Sequence, residues 1–77
     1  GNADLAIEMY RQALKYDRED DAVYAGLGEA YEKKALYQEA LKAYQNANQL
    51  NPENQRAARR IPALKIRIIQ EKHQGEE

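Results

Sequence analysis

The chain has no Cys, Ser, Thr, Phe or Trp, and Val23 is its single valine. Without cysteine there is no disulfide framework and no thiolate metal site. Without Ser, Thr or Cys the usual nucleophiles of covalent catalysis are gone, and only tyrosine hydroxyls remain. The shortage of β-branched and aromatic residues other than Ile and Tyr makes strands improbable. No apolar run approaches the roughly 20 residues needed to cross a bilayer, so no membrane insertion is expected, and no charged-then-apolar signal segment opens the chain. A phosphate-cradling loop is also missing, because Gly26-Leu27-Gly28 lies inside a helical pattern and lacks the spacing and the following lysine of such loops.

What is present favours helix. Ala, Leu, Glu, Gln, Lys and Arg dominate, all good helix formers. Apolar residues make up 43% of the chain and charged residues 32%, a balance typical of folded domains and not of disorder. At 77 residues there is room for one small domain, which buries only about 60% of its unfolded surface. The chain opens on Gly1 and not Met, so we read it as a piece of something longer.

The net charge of −1 conceals a division. Residues 1 to 53 are acidic on balance, whereas 55 to 72 carry Arg56, Arg59, Arg60, Lys65, Arg67 and Lys72 against Glu71 alone. The C-terminal segment is the basic part.

Self-similarity decides the fold class. Shifting the chain by 34 residues places Ala6 on Ala40, Ile7 on Leu41, Tyr10 on Tyr44, Ala13 on Ala47 and Asp17 on Asn51. The matches fall at helical spacing. Between them runs the order Tyr24, Leu27, Gly28, Tyr31, Ala40, Tyr44, Pro52. Its spacing resembles the tetratricopeptide-repeat pattern, with Tyr24 where that pattern has Trp and Tyr44 where it has Phe. The resemblance covers nearly the whole chain and implies an all-α fold of antiparallel helix-turn-helix repeats, an α-solenoid fragment of three to four helices.

The organisation expected over 1 to 77 is therefore one domain. Residues 3 to 16 are the second helix of a partial repeat, 21 to 54 a complete repeat, 53 to 72 a diverged capping helix and 73 to 77 a frayed tail. Helix A of the complete repeat is expected from Ala22 to Lys34 with Asp20 or Asp21 as cap, its face made by Val23, Tyr24, Leu27 and Tyr31 at three- and four-residue steps. Helix B is expected from Tyr37 to Gln49 with Ala40, Leu41, Tyr44, Ala47 and Leu50 inside. Gly28 costs about 1 kcal/mol in a helix interior relative to alanine, so a close approach by the neighbouring helix is the expected reason for it. Ala35 stands where the family prefers glycine, which predicts either a different turn or mild strain. For the last helix Asn51 is the expected cap, Pro52 lies in the first turn, and Ala58, Ile61, Leu64 and Ile68 face inward. Pro62 predicts a kink or a restart there.

No catalytic site emerges, and no metal or cofactor is called for. His73 stands alone in a polar segment. Asp17, Glu19, Asp20 and Asp21 lack the spacing of a calcium loop and read as caps and solvated charge. The six tyrosines, at 10, 16, 24, 31, 37 and 44, read mainly as packing residues. The resemblance implies instead a non-catalytic scaffold whose first helices line a concave groove that takes a peptide or partner protein. The family positions put Ala22, Ala25, Glu29, Glu32 and Lys33 near that groove, with Arg56, Arg59, Arg60, Ala63 and Arg67 from the last helix. We single out Ala25, Glu29, Lys33, Arg56, Arg59, Arg60 and Arg67 as partner-binding candidates. Some family members clamp a terminal carboxylate with basic residues where this chain has Arg56 and Arg60, but the clamp's asparagine falls on Gly26. Arginine's planar fork suits carboxylates, so an acidic partner is the natural fit; the competing reading is that these arginines only solvate a terminal helix. Nucleic-acid binding by the basic helix is an alternative that the acidic remainder of the chain opposes. A second alternative is self-assembly, because helix 3 to 16 lacks a first-helix partner and leaves Leu5, Met9, Tyr10 and Leu14 short of cover.

Overall fold

The computed structural model describes residues 1–75, with side chains through His73. It contains four helices: α1 (Asn2–Tyr16), α2 (Asp21–Lys33), α3 (Tyr37–Leu50) and α4 (Gln55–Gly75). Each packs on the next, and α2 also touches α4 lightly. The result is a thin slab with extents of 45 × 30 × 15 Å. This is the all-α helix-turn-helix stack expected from the 34-residue repeat. No helix among the described residues is long and apolar enough to cross a membrane.

The turns repeat with the same period as the helices. Asp17 Oδ1 accepts from the Glu19 backbone N–H at 2.9 Å, and Asn51 Oδ1 accepts from that of Glu53 at 3.1 Å. Three residues on from each, a second short polar side chain caps the helix that follows. Asp20 Oδ1 accepts from Ala22 and Val23 at 3.0 and 3.3 Å, and Asn54 Oδ1 accepts from Ala57 at 3.1 Å. The cap of α4 is thus Asn54 and not Asn51, and Pro52 and Glu53 belong to the turn before the helix. Asp21 ties the two turns together, accepting from Asn51 Nδ2 at 3.1 Å and Asn54 Nδ2 at 2.7 Å. Those two amide donors hold its carboxyl below the usual aspartate range. The acidic cluster at 17 to 21 is therefore engaged in turn-making and capping.

The α2–α3 turn is built differently. The Leu36 N–H donates to the Tyr31 carbonyl and the Ala35 N–H to that of Glu32, both at 2.9 Å, the paired bonds of a Schellman helix end. That motif needs a left-handed residue, and Ala35 supplies it at φ 60°. Of the two outcomes expected at this site, strain is the one found.

The core has two parts. Ala25, Ala40, Tyr44, Ala47, Ala57 and Leu64 form one, and Ile7, Leu27, Ala30 and Ala43 the other. Gly28 sits against the Tyr44 ring so closely that an added Cβ would lie 2.8 Å from it, which accounts for a glycine in mid-helix. Gly26 plays the same part toward Tyr10 of α1.

Three expectations about packing need correction. Ala58 is exposed, and its neighbour Ala57 is the buried residue of α4. Leu50 is 42% exposed and does not belong to the interior. The helix also does not restart at Pro62: α4 is continuous through it. Both Pro62 and Ala58, whose carbonyl loses its donor, lie exposed, so water can satisfy the freed group. The helix continues through His73 to Gly75, and the last two residues of the segment expected to fray lie outside the described residues.

Candidate partner-binding groove

The two first-type helices, α2 and α4, stand side by side. Spacing along α4 puts Arg56, Arg60, Ala63 and Arg67 on one face, and two of these arginines reach across to α2. Arg56 Nη2 lies 2.8 Å from Glu29 Oε1. Arg60 binds Glu32 with its fork, its Nε donating to both carboxylate oxygens at 3.2 Å while Nη2 also reaches Oε1. The Tyr44 hydroxyl donates to the other side of the same carboxylate, to Oε2 at 2.7 Å. Three helices therefore meet at Glu32. Arg56 and Arg60 thus both pair with α2 as well as facing solvent.

Burial shapes the chemistry of this cluster. The Glu32 side chain is only 18% exposed. Desolvation pushes its pKa up, but the hydrogen bonds from Arg60 and Tyr44 and the charge of Arg60 outweigh that, and the carboxyl sits below its usual value. Tyr44 moves the other way: burial first, and then the Glu32 carboxylate, push its hydroxyl well above the usual tyrosine value. Glu29 and Arg56 are each about half exposed, so their pair is open to competition by other anions.

Past Arg60 the groove opens into a 350 Å³ concavity lined by Glu32, Tyr37, Arg60, Ala63, Ile66 and Arg67. Arg67 stacks its guanidinium 4.8 Å from the Tyr37 ring centroid and donates to Glu71 at 3.4 Å. Tyr37 and Ile66 were not among the residues singled out from the sequence. Their signal was present, an aromatic opening α3 and an isoleucine off the inward stripe of α4, but its meaning depends on how α4 lies against α3.

The remaining candidates do not join this site. Ala25 has no exposed surface, so it can shape the groove only from beneath. Lys33 is exposed and makes no ion pair among the described residues. Arg59 donates to Gln55 of its own helix at 3.4 Å and lies instead by Pro52, Glu53 and Ala58 at the start of α4. Three of the six cations of the basic segment, Arg56, Arg60 and Arg67, are engaged by carboxylates within the chain, which weakens any phosphate-binding reading of that helix.

Comparison with known proteins agrees with the geometry. A family model described as TPR repeat matches residues 1–34, and one described as tetratricopeptide repeat matches residues 22–54. The small glutamine-rich tetratricopeptide repeat-containing protein 2 of Mycosarcoma maydis is 35% identical over 68 residues, which is 88% of this chain and 19% of that protein. The chain thus spans about a fifth of that relative's length.

Proposed function

Because the chain belongs to the tetratricopeptide-repeat family, generally a non-catalytic protein-interaction fold, we propose that it is a scaffold holding an acidic, extended peptide between α2 and α4. The observation that supports this reading is the half-exposed Arg56–Glu29 pair between α4 and α2, beside a concavity that also offers the apolar surfaces of Tyr37 and Ile66. A peptide carboxylate competes with Glu29 for the open Arg56 fork. The apolar surfaces take a neighbouring side chain, and Arg67 over Tyr37 supplies a second planar donor set. Glu32 and Arg60 form the fixed floor of the site, since their pair is the less exposed one and is anchored by Tyr44.

The test is a binding series with decapeptides graded in Asp and Glu content, at two salt concentrations, with helical content followed throughout. Glu29→Gln, which frees Arg56, should tighten acidic peptides several-fold. Arg56→Glu should abolish that preference without loss of helix. Equal binding of acidic and neutral peptides by the wild-type chain and both variants removes the groove assignment.

A further inference from the structure

With no Ser and no Thr, the chain has only the hydroxyls of its tyrosines, at 10, 16, 24, 31, 37 and 44. Five of the six are taken up in packing. Tyr44 has no exposed surface and donates to Glu32. Tyr31 is half-buried, and its hydroxyl accepts from Arg11 Nη2 at 2.9 Å. Tyr10 lies against Gly26, Tyr37 lies under the Arg67 guanidinium, and Tyr24 packs against the core cluster that holds Tyr44; all three are half-buried. Tyr16 differs from the rest. It is 93% exposed, and its hydroxyl makes no hydrogen bond among the described residues.

This exposure belongs to the repeat position and not to the start of the chain. Leu50 stands 34 residues beyond Tyr16, on α3, which has α2 packed on one side and α4 on the other. It is still 42% exposed. A tyrosine at that place carries its hydroxyl farther out than a leucine carries its methyls. The neighbouring sequence is acidic on the C-terminal side, where Asp17, Glu19, Asp20 and Asp21 stand against Arg18 alone. Asp20 and Asp21 are used in the cap and the turn, whereas Asp17 and Glu19 lie exposed. Tyr16 is also the last residue of α1, and the backbone leaves the helix at Asp17 in extended form, with φ −142° and ψ 104°. Little structure has to open for an enzyme to reach it, because helix ends are among the least protected parts of a fold.

We infer that Tyr16 is a phosphorylation site, taken by a tyrosine kinase whose substrate cleft is basic, and that the added phosphate loosens α1 from α2. The basic cleft follows from charge complementarity with Asp17 and Glu19. In the reaction the Tyr16 oxygen bonds to the terminal phosphorus of a nucleoside triphosphate, the bond to the departing nucleoside diphosphate breaks, and the phenolic proton passes to solvent. The product carries about −1.5 to −2 charges at the negative end of the α1 dipole and beside Asp17, where like charge repels. In this chain α1 is held by α2 alone among the described residues. Fraying from Tyr16 backward therefore strips Leu14 and Tyr10 from the cluster that contains Leu27 and Ala30 of α2.

The experiment incubates the 77-residue chain, and in parallel a peptide of residues 11–22, with ATP, magnesium and the catalytic domain of a tyrosine kinase that prefers acidic substrates. Mass spectrometry maps the phosphate. The chain should take one phosphate, on Tyr16, at an initial rate within several-fold of the peptide's, and Tyr16→Phe should take none. Glu19→Lys changes an exposed side chain and should slow the reaction several-fold. The phosphorylated chain should melt a few degrees below the unmodified one at low salt, with the gap narrowing at high salt. Phosphate on another tyrosine at a comparable rate overturns the site. So does a chain that takes no phosphate, whether or not the peptide does, or an unchanged rate in Glu19→Lys. An unchanged melting temperature after stoichiometric modification overturns the loosening of α1.

Discussion

Tyr10 and Tyr44 occupy the same place in two helices one repeat apart, and each ring lies against a glycine of α2, Gly26 for the first and Gly28 for the second. Their surroundings differ. Tyr44 has no exposed surface, and its hydroxyl is bound to Glu32. Tyr10 is half-buried on α1, against which only α2 packs among the described residues. A repeat in sequence therefore fixes what a residue can pack against, while its place in the stack decides how much of that packing is realised.

The largest test of this contrast is to delete both rings in turn. Tyr44→Ala removes a fully buried aromatic from the junction of three helices and should cost about 3–5 kcal/mol, the range for buried aromatic truncations. Against a total of about 0.05–0.15 kcal/mol per residue for small domains, that is enough to leave much of the chain unfolded. Tyr10→Ala should cost about half as much, because its site is open and α1 can settle toward α2. Urea unfolding followed by circular dichroism measures both. Equal losses would mean that α1 is as firmly held as the central pair and would remove the distinction drawn here.

This inequality also marks how far the sequence can be read. The 34-residue period, the helix count and the close approach at Gly28 were legible because each is a local or periodic property. The inner face of α4 was legible only in part: Ala57 and Ala58 both satisfy helical spacing to Ile61, and only contact with α3 buries the first and exposes the second. Ala25 belongs to the same class, a family groove position that tight packing in this chain places out of reach of solvent. The pairing of Arg56 with Glu29 and of Arg60 with Glu32 was not legible at all. It depends on the lateral offset between α2 and α4, which are not consecutive in the chain. Charge counted along the sequence made a basic wall; charge counted in space makes a row of ion pairs.

An intermediate effect is expected from pH, and again it belongs to the central region. The folded-state pKa of Glu32 is lowered, so its stabilising contribution is complete above the unfolded value near 4.5 and is lost as pH falls through the folded value. The pKa of Tyr44 is raised, so its contribution is complete below the unfolded value near 10 and is lost as pH rises toward the folded one. One cluster thus weakens the fold at both extremes. Glu32→Gln should flatten the acid limb of a melting-temperature profile by the equivalent of about 1 kcal/mol, the usual worth of one such hydrogen bond. Tyr44→Phe should flatten the alkaline limb. An unchanged acid limb in Glu32→Gln would place the acid sensitivity at other carboxylates, with Asp21 the next candidate because its carboxyl is also held low.

The smallest effect concerns the turns and has the opposite sign. Two of the three inter-helix turns repeat the same Asx and capping pattern, whereas the third ends α2 on a left-handed alanine, Ala35, at φ 60°. A left-handed conformation costs an L-residue roughly 1–2 kcal/mol, and glycine avoids that cost while losing about 0.5–1 kcal/mol of chain entropy on folding. Ala35→Gly should therefore stabilise the chain by about 0.5 kcal/mol. Ala35 is exposed, so no packing is lost to obscure the result. The change acts at the joint between α2 and α3, so it should raise the urea midpoint without altering the slope of the transition. A fall in the midpoint would mean that the turn relaxes out of the left-handed region in solution and that the two hydrogen bonds to the Tyr31 and Glu32 carbonyls do not hold it there.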